Sequence, residues 1–269
     1  MSIENKTTET LSVGDAENQI FSILRNAGDA IMRHYHTISK TDINYKSDNS
    51  PVTAADLDSN SIVKEGLLRL FPDIPVISEE DDLPPYQVRK TFQYNWILDP
   101  LDGTKEFLAK TGEFCINLAL IHHRKPVAGY IYLPAKEKLY YAYAGKGSYE
   151  WTPEGSVKLN CSKFGLQDVG LKVVVSRSHM DPLTRFEIER LRQPQKIALG
   201  SALKFISIAS GEADYYPRMI HIMEWDTAAG QILIEEAGGK LEDALTGKPL
   251  EYNKQSLINP YFIASGIVQ

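Results

Sequence analysis

The segment Asp99-Pro100-Leu101-Asp102-Gly103-Thr104 constrains this chain most, because it sets two carboxylates three residues apart directly after an apolar strand over residues 96–98. Pro100 cannot donate a hydrogen bond to a sheet and its fixed φ favours a turn, so the strand is predicted to stop there. Both acids then face one point, with the Leu101 carbonyl between them. Carboxylates this close repel each other unless a cation or a shared proton intervenes. Oxygen donors favour Mg²⁺ or Mn²⁺ over zinc.

The composition indicates a globular protein without a broad basic surface. The 269 residues are 43% hydrophobic and 24% charged, which is enough apolar mass for one large core or two modest ones. A net charge of −6 argues against nucleic acid or anionic lipid as a partner, so an anionic substrate needs local cations. The longest apolar run, residues 114–121, is too short to span a bilayer, and the N-terminus lacks a signal pattern. These features predict a cytoplasmic protein with buried, reduced thiols at Cys115 and Cys161.

The chain is predicted to form an α+β lobe over residues 1–165, carrying the acidic segments, and an α/β lobe over residues 166–269. Strands alternate with helices only in the second part, which is typical of α/β folds. Hydrophobic spacing and turn residues predict helices over residues 20–31, 52–70, 105–110, 181–191, 202–210 and 226–238, and strands over residues 74–78, 96–98, 115–122, 127–133, 139–143, 172–176 and 215–216.

Three acidic segments lie at predicted element ends, where open α/β sheets place ligand-binding groups. Glu79-Glu80 follows one strand, Asp99 and Asp102 follow another, and Asp226 opens the last long helix. Asp226 alone is explained equally well as a helix cap, and only the convergence of all three segments favours a site. Gly103-Thr104 precedes a helical pattern, so its amides are either phosphate ligands or part of a simple Thr cap.

Other phosphate chemistries do not fit the residues. No P-loop sequence occurs, and neither cysteine is followed by an arginine at the spacing of thiolate phosphatases. The run Asp56-Leu57-Asp58 lies in a helical pattern and lacks the Gly and Glu of a calcium-binding EF-hand loop. His179 follows an apolar strand directly, which is consistent with either a substrate contact or a structural histidine.

Taken together, Glu79-Glu80, residues 99–104 and Trp225-Asp226-Thr-Ala-Ala-Gly230 resemble the inositol monophosphatase superfamily of magnesium-dependent, lithium-sensitive phosphomonoesterases. The resemblance covers nearly the whole chain in order. Within the superfamily the chain is most similar to bacterial 3'(2'),5'-bisphosphate nucleotidases, which act in sulfur metabolism and remove the 3'-phosphate of 3'-phosphoadenosine 5'-phosphate. The resemblance implies a layered αβαβα sugar-phosphatase-like fold with the site between two lobes.

The resemblance also implies roles for the acidic and hydroxyl residues, and a requirement for two or three Mg²⁺ ions. Asp56 and Thr104 would orient the attacking water, and Glu80 would lie near a weaker third ion. The implied ligands of the two main ions are Glu79, Asp99 and the Leu101 carbonyl for the first, and Asp99, Asp102 and Asp226 for the second.

Substrate recognition is implied by the same resemblance. The implied substrate-binding residues are Gly103, Thr104, Ser176, His179, Ser201, Lys204, Arg218 and Asp226. Lys204 and Arg218 suit a second phosphate, because an acidic protein needs local cations to hold a dianion, although ordinary surface charge is the alternative.

The function predicted from these residues is hydrolysis of a bisphosphorylated nucleotide by metal-activated water. The alternatives left open are an inositol monophosphatase or sugar bisphosphatase of the same fold, and a nucleotide-binding or metal-sensing protein without activity. The sequence also leaves open a monomer or a homodimer. Peripheral association with the cytoplasmic face of the inner membrane has no support in the residues.

Overall fold

A computed structural model describes residues 16–37, 44–45, 51–177 and 180–269. The helices in these ranges are α1 (Glu17–Thr37), α2 (Ala54–Leu70), α3 (Tyr86–Arg89), α4 (Thr104–Leu108), α5 (Pro182–Glu189), α6 (Leu203–Ala209) and α7 (Ala228–Glu236). The strands are β1 (Asn44–Tyr45), β2 (Pro51–Val52), β3 (Val76–Ser78), β4 (Tyr94–Asp102), β5 (Cys115–His122), β6 (Lys125–Leu133), β7 (Lys138–Tyr143), β8 (Gly147–Thr152), β9 (Gly155–Lys158), β10 (Lys163–Phe164), β11 (Lys172–Ser176), β12 (Gln195–Leu199), β13 (Tyr215–Arg218), β14 (Lys240–Asp243), β15 (Phe262–Ser265) and β16 (Ile267–Val268).

The first large sheet has seven strands in the order β3-β4-β5-β6-β7-β8-β9. Its β3–β4 pair is parallel, and each later pair is antiparallel and joins strands that are consecutive in the chain. Helices α1 and α2 cover one face, where the helically spaced Ile20, Leu24 and Ile31 are fully buried. Thr53 starts α2 with a capping box that pairs it with Asp56. This arrangement buries one apolar stripe of each helix on the sheet.

The second sheet has five strands in the order β12-β11-β13-β15-β14, with β12, β11 and β13 parallel and β15 antiparallel to both of its neighbours. Helices α6 and α7 fill the space between the two sheets. Helix α5 packs on the far face of the second sheet, over Val173 and Tyr215. The layers therefore run helix, sheet, helix, sheet, helix, which confirms the αβαβα fold that the resemblance implied.

The core between the sheets draws on both predicted lobes. Ile97 and Ile131 of the first sheet belong to one apolar cluster with Ile232 of α7 and Phe262 of the second sheet. Burial of such side chains stabilises the fold by roughly 1.5–3 kcal/mol each. The lobes meet through this shared middle layer, and a boundary at residue 165 stays a prediction.

The predicted stop of the strand before Pro100 is wrong. Strand β4 continues to Asp102, because a register shift between Asp99 and Asp102 sets Pro100 and Leu101 opposite the single residue Ile116. Such a bulge leaves a residue out of the ladder, so the missing amide hydrogen of Pro100 costs no sheet hydrogen bond. Asp99 therefore lies before the bulge and Asp102 after it, and both stay in the ladder with β5.

The other predicted helices and strands are found at or near their predicted positions. Strands β5 and β11 have the predicted bounds. Helix α3 and the strands β1, β2, β8, β9, β10, β12, β14, β15 and β16 were not predicted. Cys115 and Cys161 are both buried and unpaired, as expected. Across the parts of the chain that the structure describes, every helix is too short or too polar to cross a lipid bilayer.

Candidate active site

Three carboxylates from distant parts of the chain meet at one point. Glu79 directly follows β3, Asp99 lies in β4, and Asp226 ends a short 3₁₀ helix before α7. One oxygen of each lies within 4.8 Å of the other two. Glu79 is held beside β4 by its backbone N–H, which donates to the Leu98 carbonyl over 3.1 Å. Asp226 is fixed because its Oδ2 accepts from the Met223 N–H at 2.8 Å.

The electrostatics of this cluster demand a counter-charge. Burial raises the pKa of Asp99 well above its usual range, and the charges of Glu79, Asp102 and Asp226 raise it further. Burial, Asp102 and Glu79 likewise raise the pKa of Asp226. A divalent cation would relieve this repulsion, and a set of carboxylate oxygens suits Mg²⁺. The residues present therefore fit the magnesium ions that the resemblance implied.

Asp102 lies beside this cluster and is held by its own hydrogen bonds. Its Oδ2 accepts from Ser201 Oγ at 2.7 Å and from Asn117 Nδ2 at 3.2 Å. The Cys115 thiol lies 2.9 Å from the same Ser201 hydroxyl. Asp102 is near enough to raise the pKa of Asp226, yet it does not belong to the three-carboxylate group. Asn117 was not predicted as a site residue. It lies two residues after Cys115 on β5, so both side chains are on the strand face towards Asp102.

Thr104 and Asp56 also come together, as the resemblance implied. Thr104 Oγ1 lies 3.4 Å from Asp56 Oδ1 and 3.3 Å from the Leu101 carbonyl oxygen. The other oxygen of Asp56 accepts from both the N–H and the hydroxyl of Thr53, at 2.8 and 2.7 Å. Ser59 Oγ donates to the Pro100 carbonyl at 2.8 Å. The first turns of α2 thus hold the carboxylate and the bulge in a fixed relation.

A cleft of about 160 Å³ adjoins the carboxylates. Its lining combines the end of β4 and the start of α4 with groups from the second sheet and α6. The lining residues are Asp102, Gly103, Lys105, Glu106, Ser176, Gly200, Ser201, Lys204, Phe205, Tyr216, Arg218, Ile222 and Asp226. Burial lowers the pKa of Lys204; Asp102 opposes this effect and Arg218 adds to it. Lys204 and Arg218 are therefore neighbours in the lining of the cleft.

Gly103 is required at its position by the backbone. Its φ of +92° is left-handed, and a Cβ there would lie 2.9 Å from the Glu113 carbonyl oxygen. This glycine lets the chain turn from the bulge of β4 into α4 within one residue. Gly103 itself lines the cleft, and Thr104 begins α4 directly after it.

The remaining predicted site residues are placed as follows. Ser176 ends β11 and lines the cleft, whereas Glu80 lies outside the three-carboxylate group. His179 is outside the described residues. Phe205 and Tyr216 also line the cleft. Phe205 was not predicted, and Tyr216 lies in the segment 215–218, whose resemblance to nucleotide-binding stretches implied a role for Arg218 but assigned none to the tyrosine itself. A period-two signal could have found Tyr216, because it shares a strand face with Arg218.

The model of the inositol monophosphatase family matches residues 15–266 of the chain. The chain belongs to this family. The match extends over both sheets and includes every residue assigned above to the carboxylate cluster and the cleft.

Relatives within the family cover nearly the whole chain. The 3'(2'),5'-bisphosphate nucleotidase CysQ of Escherichia coli O6:H1 (strain CFT073) is 43% identical over 250 residues, 92% of this chain and 98% of that protein. The crystal structure of CysQ from Bacteroides thetaiotaomicron has a TM-score of 0.79 and 34% identity, covering 95% of this chain and 99% of its own. An IMPase/NADP phosphatase crystallised with Mg²⁺ and phosphate shares the fold, with a TM-score of 0.77 and 22% identity, covering 94% and 91% of the two chains.

Proposed function

We propose that this chain is a Mg²⁺-dependent 3'(2'),5'-bisphosphate nucleotidase that hydrolyses 3'-phosphoadenosine 5'-phosphate to AMP and inorganic phosphate. The observation that carries the proposal is a cluster of three carboxylates, with Asp99 buried and Glu79 and Asp226 half-buried, beside a cleft that also contains Lys204 and Arg218. The nucleotidase relative with 43% identity over 92% of the chain supports the same activity. A cytoplasmic location and a monomeric or homodimeric state stay predictions from the sequence.

The carboxylates and one carbonyl would hold the ions. We assign Glu79, Asp99 and the Leu101 carbonyl to one Mg²⁺, and Asp99, Asp102 and Asp226 to a second, with Glu80 near a weaker third. When bound, Mg²⁺ neutralises phosphate charge and lowers the pKa of water, which makes water a competent nucleophile at neutral pH. The family member crystallised with Mg²⁺ and phosphate supports this choice of ion.

Thr104 and Asp56 are placed to orient the attacking water. When the Thr104 hydroxyl donates to Asp56 Oδ1, its oxygen lone pairs are left to accept a proton from water. The capping box keeps Asp56 from rotating, since its other oxygen is engaged by Thr53. Water then attacks phosphorus and gives its proton to the Thr104–Asp56 pair, while the bond to the 3'-oxygen breaks and the leaving oxygen takes up a proton from solvent. The products are AMP and inorganic phosphate.

Lys204 and Arg218 supply the local positive charge that the second phosphate needs in an acidic protein. Arginine and lysine together can bind several oxygens of one dianion. A substrate without the second phosphate would give Lys204 and Arg218 no phosphate to bind. The charge of the cleft therefore favours a bisphosphorylated nucleotide over inositol 1-phosphate, which carries one phosphate.

A substrate panel with and without Mg²⁺ tests the proposal. Purified protein is assayed for phosphate release from adenosine 3',5'-bisphosphate, inositol 1-phosphate and fructose 1,6-bisphosphate, in excess Mg²⁺ and in EDTA. The D102N variant is the matched control, because it keeps the shape of the side chain and removes its charge. We expect the highest kcat/KM for the bisphosphonucleotide, no release in EDTA and a loss of orders of magnitude in D102N.

Two results would contradict the proposal at different levels. A higher kcat/KM for inositol 1-phosphate or the sugar bisphosphate would replace the substrate and leave the metal chemistry intact. Release of phosphate at equal rates in Mg²⁺ and EDTA would remove the carboxylate cluster from the reaction.

A further inference from the structure

One wall of the cleft contains two buried hydrogen-bonding groups that lack a partner. They are the hydroxyl of Tyr216 and Nε of Arg218, and neither finds a hydrogen-bond partner among the described residues. Tyr216 is only 1% exposed, yet it lines the cleft with Arg218 and Lys204. Burying a polar group without a partner is unfavourable, and native proteins rarely tolerate it without a reason. A bound ligand that supplies acceptor oxygens would provide that reason.

The position of Tyr216 separates it from other buried polar atoms without a partner. Trp96 Nε1 and Ser148 Oγ also find no partner within the described part of the chain, but neither residue lines the cleft. Tyr216 and Arg218 are two residues apart on β13, so their side chains leave the same face of the strand. The two donors without a partner in the described ranges are therefore on the side of β13 that lines the cleft.

The ring of Tyr216 is held rigidly, so the direction of its hydroxyl is fixed before any ligand arrives. It packs edge-on against Phe205, with ring centroids 5.5 Å apart, and against Phe262 at 5.7 Å. Aromatic pairs of this geometry stabilise one ring orientation. A donor that is fixed in advance loses little conformational freedom when it binds an anion.

We propose that the Tyr216 hydroxyl donates a hydrogen bond to the second, non-reacting phosphate of the substrate, beside Arg218 and Lys204, and thereby selects bisphosphates over monophosphates. The inference rests on the proposed function, since it assumes that the substrate has two phosphates. A phosphate dianion offers enough acceptor oxygens to satisfy Tyr216 and Arg218 together with the ammonium of Lys204. Tyr216 is in this view a specificity-determining residue that takes no part in bond cleavage.

The Y216F variant tests this role because it removes only the hydroxyl. We compare kcat/KM for adenosine 3',5'-bisphosphate with kcat/KM for adenosine 3'-monophosphate in wild type and variant. Losing a hydrogen bond to a charged group costs about tenfold to a hundredfold in binding, so the ratio of the two values is expected to fall by about that factor. Y215F is the matched control and should leave the ratio unchanged. Tyr215 lies on the opposite face of β13, in the apolar cluster between the second sheet and α5.

Thermal unfolding without ligand provides a second readout. Because the Tyr216 hydroxyl has no partner among the described residues, Y216F should unfold at the same temperature as wild type or higher. A clear fall in Tm would assign the hydroxyl a structural role and overturn the inference. Calorimetry with AMP, which retains the second phosphate, should show weaker binding to Y216F than to wild type.

The outcomes separate the inference from the proposed function. If wild type strongly prefers the bisphosphate and Y216F keeps that preference, the inference is wrong and the proposed function stands. An equal loss on both substrates would also overturn the inference, because the hydroxyl would then act at the reacting phosphate. If wild type itself shows no preference for the bisphosphate, the substrate named in the proposed function is wrong.

Discussion

Ser201 donates its hydroxyl hydrogen to Asp102 Oδ2 over 2.7 Å, although the two residues lie 99 positions apart in the chain. Asp102 ends a strand of the first sheet, and Ser201 precedes α6 in the middle layer. Ser201 has a left-handed backbone with φ of +48°, a strained conformation for a residue other than glycine. A strained serine in contact with a proposed metal ligand indicates that the contact between the lobes helps to fix the site.

Replacing Ser201 by alanine or glycine separates the hydrogen bond from the backbone strain. Both variants lose the contact with Asp102, so both should require more Mg²⁺ for half-maximal activity and lose about tenfold or more in kcat/KM. Only S201G relieves the left-handed strain, and it should be the more stable of the two by about 1 kcal/mol. Activity titrated with Mg²⁺ and urea unfolding measure the two effects. Wild-type Mg²⁺ dependence in S201A would contradict a role in holding Asp102.

Thr104 should affect the rate of the reaction more than substrate binding. T104A removes the hydroxyl beside Asp56, and we expect kcat to fall about a hundredfold or more with a small change in KM. T104S keeps the hydroxyl and is the matched control, with most of the activity retained. Steady-state kinetics at saturating Mg²⁺ distinguish these results. Equal losses in both variants would mean that the methyl group, and not the hydroxyl, matters.

The carboxylate cluster should destabilise the protein when no metal is bound. The pKa values of Asp99 and Asp226 are raised above their ordinary value of 3.8, first by burial and then by neighbouring carboxylates. When both carboxyl groups are protonated, below pH 3.8, the cluster does not destabilise the folded state. As pH rises through their raised pKa values the groups ionise, and the free energy of unfolding falls. D226N removes one charge, so in EDTA its Tm should exceed that of wild type, and by more at pH 8 than at pH 5.

Addition of Mg²⁺ should reverse the order of the two Tm values, so that wild type becomes more stable than D226N. Wild type should gain more in Tm than D226N, because ligand binding stabilises the folded state according to affinity. D226N should also be nearly inactive. A D226N protein that is less stable than wild type in EDTA at pH 8 would contradict the repulsion between the carboxylates.

The salt bridge between Lys254 and Glu224 should be needed for the fold near Asp226. Glu224 is fully buried, accepts from Lys254 Nζ at 2.6 Å, and lies two residues before Asp226. K254M leaves a buried carboxylate without its cation, which is expected to lower the free energy of unfolding by about 3–5 kcal/mol. The double variant E224Q/K254M removes both charges and should recover much of that loss. A K254M protein within about 1 kcal/mol of wild type in urea unfolding would show that the pair is dispensable.

Much of the fold could be predicted because its signals are local. The helical period of α1 is visible in a short window because one face of the helix is buried. The apolar run of β5 is visible because both faces of that strand are buried. Strands β9 and β12 gave no such signal. Both lie at sheet edges with mostly exposed side chains, so no alternation marks them. The bulge at Pro100 was missed because a proline can end a strand or sit unpaired within one, and only the partner strand decides which.

For the candidate site, the sequence by itself determined the kind of chemistry, because carboxylates at element ends and residues 99–104 already specify oxygen donors for a hard cation. Only the tertiary structure decided that Glu79, Asp99 and Asp226 converge within 4.8 Å, that Ser201 holds Asp102, and that the Tyr216 hydroxyl lacks a partner. The physical reason is that donor type and periodicity are properties of short segments. The distance between two side chains far apart in sequence depends instead on how the sheets and the middle helices pack.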